Sequence, residues 1–114
     1  MKAGESDLAH LWDMLQAARV AHQLCAGMSE DQLLADLRTR LALERALEII
    51  GEAARRVSPR ARARLPEVPW RGIIGFRNVL AHEYGEIDYR RLHTVATVSV
   101  PTLIADLERR LPSR

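Results

Sequence analysis

Leu37-Arg38-Thr39-Arg40-Leu41-Ala42-Leu43-Glu44-Arg45-Ala46-Leu47-Glu48-Ile49-Ile50-Gly51-Glu52-Ala53-Ala54-Arg55-Arg56-Val57 is the stretch on which the fold turns. It holds no proline. Leu43, Ala46, Ile50, Ala53 and Val57 recur at the 3–4 spacing of one helical face, and Leu47 and Ala54 widen that face. The pattern predicts a core helix over 37–57, the longest element of the chain. Upstream, Ser29 and Gln32 have the spacing of a capping box and predict a short helix through Leu33, Leu34 and Leu37. Before that, a helix is expected from a Ser6 cap to about Cys25, stopped by Gly27, with Leu8, Leu11, Trp12, Leu15, Ala18 and His22 on one face.

Downstream, Ser58-Pro59 and the prolines at 66 and 69 bracket a loop or broken helical turn. A further helix is expected from Trp70 to about Tyr84, ended by Gly85. Gly72 and Gly75 within it lower helix propensity and suggest close approach of another helix. The last helix is predicted from Asp88 to Leu111, with Leu92, Val95, Leu103, Leu107 and Leu111 inward. Pro101 removes one backbone donor there and should bend it near Thr97. Strand-like alternating runs are missing, so the expected class is an all-α antiparallel bundle of about four main helices plus short helical turns.

With 114 residues the chain has room for one domain, taken as residues 1–114. Hydrophobic residues at 47% and charged residues at 28% are the balance of a packed globular protein, which argues against wholesale disorder. No apolar run reaches the roughly 18 residues a membrane span needs, and the first residues do not resemble a signal peptide, so a cytoplasmic protein is expected. The single cysteine, Cys25, cannot form an internal disulfide or a Cys-based zinc cluster and reads as a small buried hydrophobe. His10, His22 and His93 lack metal-ligand spacing and read as surface or packing residues; no metal or other cofactor is expected.

The net charge of +2 hides an asymmetry. Residues 1–36 carry two basic and six acidic side chains, residues 37–114 fifteen basic and nine acidic. Arg55, Arg56, Arg60, Arg62 and Arg64 fall within ten positions. Such a cluster of planar, multidentate donors suits phosphate, and it equally suits a solvated helix end.

Chemistry-bearing groups concentrate in Arg77-Asn78-Val79-Leu80-Ala81-His82-Glu83-Tyr84. On a straight helix Arg77 and His82 diverge by about 140°, so one helix does not aim both at one small ligand unless it distorts or a second subunit completes the pocket. The residue types suit metal-free RNA cleavage. A histidine can take the proton of a 2′-hydroxyl, and a guanidinium can stabilise the charged phosphorane. The spacing alone is equally served by a helix-terminal histidine, an Arg–acid pair and a packed tyrosine.

Three blocks carry a resemblance: Ala46 to Ala54 with its Ile50-Gly51-Glu52-Ala53 core, Pro66-Glu67-Val68-Pro69-Trp70, and Ile73 to Tyr84. Together they resemble the HepT-like branch of the HEPN superfamily, almost continuously from Ala46 to Tyr84. The resemblance implies a helical-bundle ribonuclease that forms its cleft as a homodimer and acts as the toxin of a type VII-like HepT/MntA toxin–antitoxin pair. The antitoxin of such a pair is MntA, a minimal nucleotidyltransferase that transfers AMP to a motif tyrosine. By position, Arg77 and His82 match the catalytic pair, Asn78 the supporting polar residue, and Tyr84 the AMP acceptor; the five arginines from Arg55 to Arg64 would form an RNA track. A catalytically silent module that binds nucleotide or docks the nucleotidyltransferase is the alternative. Gly51 is expected to permit close helix packing, Glu52 to pair with an arginine or pack between helices, and Trp12 and Trp70 to anchor the core.

Overall fold

The computed structural model of the chain describes residues 3–76 and 87–112. Two long helices organise it: α1, Ala3–Cys25, and α3, Leu37–Arg56, which pack against each other. Between them lies α2, Glu30–Ala35, started by the expected capping box: the Ser29 hydroxyl accepts from the Gln32 N–H at 3.1 Å and the Gln32 side chain accepts from the Ser29 N–H at 2.8 Å. Asp36 then caps α3, its carboxylate accepting from the Thr39 N–H at 3.1 Å. After α3 come two five-residue helices, α4 (Pro59–Ala63) and α5 (Trp70–Ile74). The chain closes with α6 (Tyr89–Thr94), a π-helical turn (Val95–Ser99) and α7 (Val100–Arg110). The all-α class holds among the described residues.

The stripe on α3 packs as its periodicity predicts: Leu43, Ala46, Leu47, Ile50, Ala53 and Ala54 are buried, and Val57 continues the row. Burial of such side chains contributes about 25 cal/mol per Å² of apolar surface, and this row faces α1 and α5. On α1 the buried face meets the expected one at Leu11, Leu15 and Ala18, with Trp12 packed half-buried against the core, and departs from it elsewhere. Leu11, Met14, Leu15, Ala17, Ala18, Ala21 and Cys25 are inside, whereas Leu8 is 37% exposed and His22 faces solvent. Three alanines, Ala17, Ala18 and Ala21, are among the buried positions, and Leu8 and His22 lie at the margins. Leu37 is likewise exposed, because it is the first residue of α3 rather than the end of α2.

Three other expectations need correction. α1 begins at Ala3, upstream of Ser6, so Ser6 lies inside the helix, and α1 rather than α3 is the longest element. Ala3 and Glu5 are good helix formers that extend the helix past a capping residue. Gly72 has no described atom within 4 Å of a hypothetical Cβ, and at Gly75 the nearest is the Arg71 carbonyl one turn back, so among the described residues neither marks close approach of another helix. That role falls to Gly51, where a Cβ would sit 3.2 Å from the Ile73 carbonyl oxygen of α5. Gly27, at φ 74°, closes α1 as expected.

The interruption before Pro101 takes the form of the π turn. The Val100 N–H donates to the Val95 carbonyl, and Pro101 has no N–H with which to restore the α pattern. Thr97 and Thr94 donate their hydroxyls back to the carbonyls of His93 (2.8 Å) and Arg90 (3.2 Å), which loosens the ladder further. Leu92, Leu103 and Leu107 are buried and Leu111 half-buried, as predicted. Among the described residues no helix is long and apolar enough to cross a membrane.

Candidate nucleic-acid interface

The basic cluster lies where α3 ends and α4 begins. Arg55 and Arg56 occupy the last turn of α3, Arg60 lies in α4, and Arg64 caps it. All four are exposed, and none makes a salt bridge to a described residue. Arg62 is different. Two residues from Arg60 is about 200° around a helix, so it points to the opposite side. There its Nη2 donates to the carbonyl of Arg55 at 3.0 Å and, at 3.4 Å, to that of Ala54, which also accepts from the Val57 N–H. Its guanidinium carbon also stands 6.0 Å from the centre of the Trp70 ring. The Trp70 indole N–H in turn binds the Leu65 carbonyl at 3.1 Å.

Helix α4 is too short to be stable alone. Ser58 caps it, its hydroxyl accepting from the Ala61 N–H at 3.1 Å, and Pro59 occupies the first turn. The cap is itself held by α1: the Asp7 carboxylate accepts from the Ser58 N–H at 2.8 Å and from the Ser58 hydroxyl at 2.7 Å. These bonds hold the Asp7 carboxyl below its ordinary value, with smaller help from the charges of His10 and Arg64.

An apolar cleft of about 510 Å³ opens between α3, α5 and the π turn, lined by Ile50, Ile73, Phe76, Val95, Val98 and Leu103 among others. Val98, at the π turn, is 64% exposed. The cleft's acidic groups are both engaged: Asp106 pairs with Arg109, and Glu67 with Arg110 at 2.9 Å.

Residues 14–110 match the Ribonuclease HepT-like family. The chain belongs to that family. Over 100 residues, 88% of its length and 92% of the relative's, the HepT-like chain is 35% identical to a Methanocaldococcus jannaschii protein provisionally named an RNase. It is 31% identical over 109 residues, 96% of its own length and 97% of the relative's, to a Thermococcus cleftensis protein provisionally named ribonuclease HepT. A Caldanaerobacter subterraneus protein, also named provisionally as an RNase, is 32% identical over 103 residues, 90% of this chain and 89% of the other. No solved structure gives a significant match.

The HepT-like match spans Arg77, Asn78, His82, Glu83 and Tyr84, all of which lie outside the described residues. The flanks are described: Phe76 lines the apolar cleft, and Asp88 starts α6 by accepting from the Arg91 N–H at 3.1 Å. Close to that cap is a cluster that periodicity does not reveal. Tyr89 donates to the Glu44 carboxylate at 2.6 Å, the Arg40 guanidinium carbon stands 5.0 Å from the centre of the Tyr89 ring, and Arg40 also donates to the Leu34 carbonyl. The hydrogen bond to Glu44 and burial push the Tyr89 phenol up from its ordinary value. Arg40 and Glu44 are four apart on α3, the spacing at which side chains on one helix meet.

The remaining assignments are structural. Glu52 pairs with Arg45 at 3.3 Å on an exposed face. Trp70 is a half-buried anchor, and His93 Nε2 lies 2.6 Å from the Met28 carbonyl oxygen. Cys25 is buried, and that burial pushes its thiol up.

Proposed function

We propose that this chain is a metal-independent endoribonuclease, the toxin of a HepT/MntA-type toxin–antitoxin pair. The observation that carries the reading is the family match over residues 14–110, which includes the Arg77 to Tyr84 segment. In this reading the 2′-oxygen of the substrate RNA attacks the adjacent phosphorus and the 5′-oxygen leaves. His82 moves the proton, Arg77 stabilises the phosphorane charge with Asn78 in support, and the products are a 2′,3′-cyclic phosphate and a 5′-hydroxyl end. One histidine per motif supplies one proton-transfer group, so a homodimer pairing two motifs supplies base and acid. The exposed Val98 and the apolar cleft reaching Phe76 support such a pairing surface. Arg55, Arg56, Arg60 and Arg64 form the RNA track, with Arg62 beneath them.

Control is by a minimal nucleotidyltransferase of the MntA type. The Tyr84 hydroxyl attacks the α-phosphorus of ATP, its proton is lost to solvent and pyrophosphate departs, leaving AMP on the phenolic oxygen. The added phosphate places negative charge near Arg77 in sequence, where the substrate phosphate is to be bound. Cleavage of RNA by the purified chain in excess EDTA tests the reading. His82→Ala and Arg77→Ala should each lose at least about 10²-fold in rate with helicity unchanged. Undiminished cleavage by His82→Ala, or absolute dependence on a divalent cation, overturns it, and a wild-type chain that binds RNA without cutting it favours the silent module.

A further inference from the structure

We propose that Arg62 and Asp7 are positioning residues for nucleic-acid binding: they touch no phosphate but lock α4 against α3 and α1, so that Arg55 and Arg56 on one helix and Arg60 and Arg64 on the next are presented as one rigid surface. The inference rests on the RNA-track reading above.

Arg55 and Arg56 sit on the long helix α3, but α4 is too short to be stable alone and, left untied, would lose its freedom each time Arg60 and Arg64 bound a phosphate chain beside them; fixing it in advance removes that cost. Both ties converge on α4. At its start, Asp7 reaches across from α1 to the N–H and hydroxyl of Ser58. Along its inner side, Arg62 joins the carbonyl end of α3 to the face of Trp70. A guanidinium can do both at once because it is planar, with donors on its edge and a stacking face; an ammonium cannot. The side chain is half-buried, and its Nε lies buried with no acceptor among the described residues. A group held at that cost inside the fold is not a free phosphate contact. Arg60 and Arg64, four apart, remain on the outer side.

The two roles predict opposite responses to simple substitutions. The test is binding of the full chain to a 2′-O-methyl RNA, which lacks the attacking hydroxyl, measured across a salt series. Arg60→Lys keeps a charge that faces phosphate and should lose less affinity than Arg62→Lys. Arg62→Lys keeps the same charge but loses the stacked fork, and should bind at least about fivefold more weakly. Asp7→Ala removes a negative charge, which on electrostatics alone tightens binding to RNA, yet by untying Ser58 it should weaken it. Thermal melts followed by circular dichroism confirm that each variant is folded at the assay temperature; should Arg62→Lys fail to fold, Asp7→Ala carries the test alone. Wild-type affinity in Arg62→Lys, or tighter binding by Asp7→Ala, overturns the positioning role. Failure of the track itself reads differently: replacing Arg55, Arg56, Arg60 and Arg64 by Gln should flatten the salt dependence by roughly 0.7 for each phosphate that is no longer neutralised. An unchanged slope and affinity there removes the RNA surface.

Discussion

Asp7 and Ser58 are joined by two hydrogen bonds, of 2.8 and 2.7 Å, across 51 positions of sequence. One carboxylate near the start of α1 thereby satisfies both the backbone and the side chain of the residue that caps α4. The arrangement ties the amino-terminal helix to the basic surface, and it is charge-assisted, the stronger class of hydrogen bond.

Acid should weaken this tie in a defined window. Because Ser58 lowers the Asp7 pKa below 3.8, the folded state holds this proton less tightly than the unfolded chain. The stabilisation is therefore complete above about pH 3.8 and is lost as pH falls through the folded value. Asp7→Ala should be less stable than wild type at neutral pH by about 1–2 kcal/mol, discounted for partial exposure. In urea titrations the gap should close as pH falls through the folded Asp7 value; a constant gap at all pH values would show that packing, not ionisation, accounts for it.

Gly51 and Gly72 should respond in opposite ways to a side chain. Beside Gly51 the Ile73 carbonyl leaves no room for a large group, and Gly51→Leu should cost about 1–3 kcal/mol by overpacking α3 against α5. At Gly72, in a helix and with open space around its Cβ position among described residues, Gly72→Ala should stabilise by about 0.4–1 kcal/mol. Thermal or urea unfolding of the two variants measures both signs.

Tyr84→Phe should separate activity from control. The variant loses the oxygen that accepts AMP while His82 and Arg77 are untouched, so it should cut RNA at wild-type rate and resist silencing by the cognate nucleotidyltransferase with ATP and Mg²⁺. Intact-mass measurement shows whether AMP arrives. Silencing of Tyr84→Phe would point to inhibition by steric docking instead.

Val98→Glu should dissolve the proposed dimer. A carboxylate at the exposed edge of the apolar cleft would have to be desolvated against a second protomer, at a cost of several kcal/mol. Light scattering should then report a monomer that is still helical and no longer cleaves RNA. A monomeric wild type, or an active monomeric variant, would remove the composite site.

Where local rules govern, the sequence was a faithful guide. The Ser29–Gln32 box, the stop at Gly27 and the buried row from Leu43 to Val57 depend on neighbours three or four positions away, and all are present. Tertiary choices were illegible. The inward face of α1 includes Ala17, Ala18 and Ala21, whereas a count of apolar residues weights the exposed Leu8 above any of them. At the basic surface, composition identified five arginines as equivalent. Four are exposed, but Arg62 is drawn inward by the carbonyls of Ala54 and Arg55 and by the face of Trp70, partners whose proximity depends on the turn at Ser58-Pro59.

Cys25 gives the molecule a built-in clock. It is the sole thiol of the chain, buried at the last residue of α1, and burial keeps it in the protonated, unreactive form. An aromatic disulfide reagent added to the native protein therefore finds nothing to react with until that part of the core opens. The rate at which colour develops reports the opening of α1 directly, without a label, and the effect of any substitution on that motion can be timed in the unmodified background.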